Sequence, residues 1–109
     1  MIEQKIAQKL VDGLLDAGFT LDVNDGEETV LRASTDRKAI LESLGSTDYD
    51  VIRCRNKKNN LPIDGYVADE VCGWVMLVWG NEVDLISGYT CNIERYIQEA
   101  VEYAETFID

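Results

Sequence analysis

The stretch Cys72–Thr90, CGWVMLVWGNEVDLISGYT, decides how the rest of the chain is read. Residues 73–78 (GWVMLV) are almost unbroken apolar sequence. That is far short of the roughly 20 residues needed to cross a bilayer. It is the right length for one strand buried on both faces. Gly80-Asn81 follows, and glycine accepts positive φ at the first central position of a type II′ turn, so the pair predicts a two-residue hairpin. Residues 82–87 (EVDLIS) then read as a half-polar partner strand. Because strand side chains alternate, Trp74 and Val78 fall on one face and Val75 and Trp79 on the other. A single helical layer covers one face. The second is therefore expected to be open or to meet a partner, a second copy of the chain included.

Outward from this hairpin, the apolar spacing supplies helices and further strands. After it, Asn92 is placed to cap a helix over 93–108. Ile93, Ile97, Val101, Ala104 and Ile108 form its apolar stripe, with Tyr96, Ala100 and Phe107 beside it. Glu94, Gln98, Glu102, Glu105 and Asp109 take the opposite side, and Arg95 is spaced for an i,i+4 pair with Glu99. At the other end, Ile2, Ile6, Leu10 and Leu14 recur every fourth residue and predict a helix over 2–16. Gly13 weakens it by about 1 kcal/mol relative to alanine, and Gly18 suits a left-handed stop. Phe19, Leu21 and Val23 alternate with Thr20, Asp22 and Asn24, a half-buried strand. Asp25-Gly26 turns it into a second strand over 29–33. Asp36 lies in a capping cluster before a helix over 36–44 that buries Ala39, Ile40 and Leu44. A third strand covers 47–54, a proline-containing turn 61–65, and residues 66–71 read either as a short edge strand or as an irregular approach to the hairpin. The fold class expected is α+β: one domain over 1–109, with an antiparallel sheet of about five strands and the N- and C-terminal helices packed on one face.

Charge sets the function classes. There are 21 acids against 10 bases, a net charge of −11, and no histidine. Residues 1–58 carry 11 acids and 9 bases; residues 59–109 carry 10 acids and Arg95 alone. The sign disfavours direct contact with nucleic acid or an anionic membrane and favours a basic partner, although acidity also serves solubility alone. Cys54, Cys72 and Cys91 are an odd number without a CxxC pair, which fits free thiols in a reducing cytoplasm. The start MIEQKIAQKL lacks the apolar core of a signal peptide.

Chemistry-bearing motifs are few. Without histidine there is no imidazole base, no Ser-His or Cys-His nucleophile pair and no usual zinc site. No phosphate-cradling glycine loop is present. Asp22, Asn24, Asp25, Glu27 and Glu28 invite a calcium reading, but they lack the ligand ladder and closing glutamate of an EF-hand and suit a solvated hairpin tip. Residues 53–60 (RCRNKKNN) form the only basic run and read as a solvated loop. Asp69-Glu70 is a carboxylate pair on which a hydrolase would have to be built, and nothing supports one. The expectation is no enzyme, no catalytic residue, no metal and no cofactor.

Val23-Asn24-Asp25-Gly26-Glu27-Glu28, Arg32-Ala33-Ser34-Thr35-Asp36 with Ala39-Ile40-Leu41, Gly73-Trp74-Val75, Trp79-Gly80-Asn81 and Asp84-Leu85-Ile86-Ser87-Gly88-Tyr89-Thr90 together cover about residues 19–97. In this pattern the chain resembles a group of small uncharacterised acidic proteins of bacteriophages and prophages. The resemblance implies a viral or mobile-element origin and carries no catalytic signature. Phage accessory proteins of this size and acidity often inhibit host defence or regulate host enzymes, and some imitate nucleic acid. The expectation is a non-enzymatic phage or mobile-element protein, in the host cytoplasm, that inhibits or modulates a host factor by binding its basic surface. The residues expected to make that contact are Asp69, Glu70, Glu82, Asp84, Glu94, Glu102, Glu105 and Asp109, with Trp79 as an aromatic anchor. The alternative is an acidic chaperone-like or immunity-type module that holds its partner through sheet and aromatic surfaces.

Overall fold

Helix α1 (Ile2–Ala17) buries Ile6, Ala7, Leu10, Val11 and Leu14, the stripe that its spacing announces. Gly18, at φ 102°, ends it in the left-handed region. The computed structural model describes residues 2–56 and 70–107, so the expectations on Asp69, Asp109, Ile108 and the turn at 61–65 lie outside the described residues. Strands β1 (Phe19–Asn24) and β2 (Thr29–Ser34) form the first hairpin. The short helix α2 (Arg37–Ser43) follows, its N-cap Asp36 accepting from the Ala39 N–H. Then come β3 (Tyr49–Asn56), β4 (Val71–Val78), β5 (Ile86–Tyr89) and α3 (Glu94–Glu105).

The five strands make one antiparallel sheet in the order β2-β1-β3-β4-β5. With helices at both ends of the chain, the fold is α+β. Register explains which residues form the core. Leu21 lies opposite Cys54, and Val23 opposite Ile52, which in turn faces Val75. These side chains share the helix-facing side and are buried with Phe19 and Leu77 under α1 and α3. The other side, helix-free among the described residues, carries the alternate set: Asp22, opposite Arg53, and Arg53, opposite Trp74.

Several expectations change in three dimensions. The β4 segment is buried on one side only, since Trp74 is 40% exposed on the other. Residues 82–87 are not a continuous strand. Glu82–Asp84 is a 3-10 turn, and β5 starts at Ile86. The Glu3 carboxylate of α1 accepts the N–H groups of Gly80 at 2.7 Å and Glu82 at 3.2 Å. Those bonds hold a wide turn in place of the two-residue one, although Gly80 does take positive φ, 94°. The basic run is partly strand: Arg53–Asn56 extends β3. The last helix begins at Glu94, after a 3-10 turn over Cys91–Ile93. Asn92 does not cap it; its amide donates to the Cys72 carbonyl at 2.6 Å. Arg95 stacks on Tyr96 and donates to its hydroxyl, while Glu99 pairs with Lys9 of α1. Phe107 is 50% exposed, because α3 ends at Glu105 before it can turn inward.

Candidate functional site

At 100° per residue the buried line of α3, Ile97, Ala100 and Ala104, leaves two flanks. Glu94, Gln98, Glu102 and Glu105 share the flank turned away from α1, and all are exposed. Glu99, Tyr96 and Tyr103 share the other, where Lys9 of α1 reaches Glu99 at 3.5 Å and lies over the Tyr103 ring. The helices run antiparallel, because Lys9 meets Glu99 and Gly13 meets Tyr96. Since Glu3, near the start of α1, holds the turn at Gly80 and Glu82, the C-terminal end of α3 lies toward that turn. Exposed Glu82 and Asp84 therefore stand in the turn near the Glu105 end of α3.

This flank is uncompensated. Among the described residues the ion pairs are Lys9–Glu99, Arg37–Asp12, Lys38–Glu42 and Arg55–Asp22. None involves Glu82, Asp84, Glu94, Glu102 or Glu105. The Tyr89 hydroxyl donates to Glu94 Oε1 at 3.4 Å. Desolvation, then the negative fields of Glu94 and Glu105, push that hydroxyl's pKa up.

Not every expected contact residue joins this flank. Glu70 lies just before β4, at the sheet end where α3 begins and away from the Glu82–Asp84 turn, and its carbonyl accepts from the Asn56 N–H; no contact joins it to the α3 acids among the described residues. Trp79 turns the other way. Its Nε1–H donates to buried Asp50 at 2.7 Å, and its ring helps line a groove of about 450 Å³ between α1 and α2. Asp69 and Asp109 lie outside the described residues.

Apart from Arg95 and Lys9, which are engaged with Tyr96 and with Glu99, two basic residues of β3 lie away from α3. Arg53 and Arg55 project from β3 onto the helix-free side, where Arg55 grips Asp22 through Nε at 3.0 Å and a terminal nitrogen at 2.8 Å. The two-residue spacing of these arginines is the sequence signal for a shared strand face, and reading them as loop concealed it. The acids of the first hairpin have separate structural jobs. Asp22 takes Arg55 and the Ala33 N–H, and Asp25 takes the N–H groups of Glu27 and Glu28. Among the described residues no three His, Cys, Asp or Glu side chains gather as a metal ion would require. Nor, among them, is any helix long and apolar enough to cross a membrane.

No protein-family model matches the chain, and no curated protein or solved structure matches it.

Proposed function

We propose that this chain is a non-enzymatic phage or mobile-element protein that inhibits or modulates a host factor by binding that factor's basic surface in the host cytoplasm. The observation that supports it is the outer flank of α3. Glu94, Glu102 and Glu105 stand exposed there outside every ion pair among the described residues, and the nearby Arg95 is turned onto Tyr96. Uncompensated like charges on one surface cost stability through mutual repulsion and raise both the rate and the selectivity of encounter with a cationic patch.

The density of the row limits how it imitates nucleic acid. The twelve residues from Glu94 to Glu105 span about 16 Å at about 1.5 Å rise per step, whereas a DNA duplex shows one charge per about 1.7 Å of axis. Three carboxylates over that length attract a basic groove without copying duplex charge. Binding should fall steeply with salt and be lost when Glu94, Glu102 and Glu105 are reversed to lysine. Capture of host proteins from lysate by wild-type and reversed chains, at about 50 and 200 mM salt, checks this. Capture indifferent to both changes overturns the proposal.

The helix-free sheet surface favours a second reading, a chaperone-like or immunity-type module. Trp74 is 40% and Tyr49 39% exposed there. On that reading Trp74→Ala abolishes capture and the charge reversals leave it intact.

A further inference from the structure

The sheet ends at two strands of unequal protection. β2 is broken by two register shifts against β1, carries Ala33 at φ 49°, and packs against α2. Such bulges and coverings are how proteins blunt a sheet edge. β5 has one register shift against β4, at Met76/Leu77, but pairs with β4 alone among the described residues and carries neither lysine nor proline. Thr90 donates its N–H to the Trp74 carbonyl, and Gly88 lies opposite Met76. Alternation along an antiparallel strand therefore turns the Tyr89 N–H and C=O outward, away from β4.

What flanks this edge differs above and below. On the helix side stands the acidic flank, with Glu94 bonded to the Tyr89 hydroxyl. On the other side the Trp74 indole reaches across Gly88: a methyl group on Gly88 would meet the far ring carbons at 3.9 Å. A larger residue at 88 would hold the indole back from the edge. The edge is thus a hydrogen-bonding track with carboxylates over one side and a half-exposed indole over the other.

We propose that β5 receives an extended segment of the partner as a sixth strand, one whose side chains alternate basic and apolar. This rests on the acidic-surface reading and specifies what the basic partner presents. Main-chain bonds to Tyr89 supply register. Because strand side chains point to opposite faces in turn, lysine or arginine at every second position meets Glu94 and Glu105, and the intervening apolar residues lie against Trp74. A second copy of this chain is the wrong occupant. Pairing β5 with β5 would bring two uncompensated acidic flanks together, and like charges juxtaposed at an interface oppose it.

The test uses the full chain and two synthetic decapeptides of alternating lysine and valine, one unmodified and one N-methylated on alternate amides. Both carry the same side chains and charge, but the second cannot donate along one edge. The expected result is at least tenfold tighter binding of the unmodified peptide, with slowed amide exchange at Tyr89, and weaker binding to the Trp74→Ala chain. Equal binding of the two peptides without protection at Tyr89 overturns strand addition. If that equal binding is still lost on reversing Glu94 and Glu105, the acidic-surface reading survives. Binding of neither peptide at low salt also overturns strand addition, and the acidic-surface reading is then decided by its own salt and charge-reversal experiment.

Discussion

Asp22 and Arg55 are the one ion pair in the described residues with a buried carboxylate, Asp22 being 2% exposed. Burial by itself would raise the Asp22 pKa. The Arg55 bonds, the Ala33 N–H and the fields of Arg55 and Arg32 more than offset that and hold it below its ordinary 3.8. A carboxyl depressed in the folded state stabilises fully above its unfolded value, and that stability is lost as pH falls through the lower folded value. Stability should therefore decline below about pH 4. Asp22→Asn should cost about 1–3 kcal/mol at neutral pH, because it removes the carboxylate charge that accepts the Arg55 bonds and the Ala33 N–H, and should flatten the acid limb. Urea denaturation midpoints of both chains across that range check it; equal midpoints at neutral pH would refute the role given to the pair. The alternation of residues 19–24 placed Asp22 on the polar face. Its partner is 33 residues away and could not be read from spacing.

At the scale of elements, Gly13 separates propensity from packing. By propensity alone, alanine in mid-helix gains about 1 kcal/mol over glycine. In α1, however, a methyl group at Gly13 would lie 2.3 Å from the Tyr96 carbonyl oxygen of α3, so the two helices can cross there only over glycine. Gly13→Ala should destabilise by about 1–3 kcal/mol, the range for overpacking, and reverse the sign that propensity gives. A raised thermal midpoint for this variant would show that the helices do not approach so closely. The helices themselves were legible, because their apolar residues repeat every three or four positions. The crossing point was not, since it depends on where a second helix lies. The same holds for the turn at Glu82–Asp84. Its local sequence allowed a strand, and the Glu3 carboxylate, 79 residues earlier than Glu82, settled the matter.

For the molecule as a whole, the sheet and its helical cover divide the chain's thiols. Cys54 and Cys72 are buried and Cys91 is exposed. Desolvation pushes the Cys54 thiol pKa far up, with help from Cys72 and the negative charge of Asp22, and burial also raises that of Cys72. Thiolate is the reactive form. An aromatic disulfide reagent near pH 8 should therefore label Cys91 at once, and the other two only at the rate at which the sheet opens. Three equally fast thiols would contradict the packing. Charge is divided in a similar way. Arg53 and Arg55 face the helix-free side, and the acids of α3 and the 3-10 turn line the opposite margin. From the sequence alone came the fold class, most of the element positions, the buried stripes and the excess of acids in the second half, because periodicity and composition are local properties of a chain. Which acids stand together, that Glu99 is neutralised while Glu94, Glu102 and Glu105 are not, that Trp79 turns inward and Trp74 outward, and that β5 has no second neighbour strand among the described residues were decided by tertiary structure. Charge pairing and edge exposure depend on distances between segments far apart in sequence, and only the folded chain sets those distances.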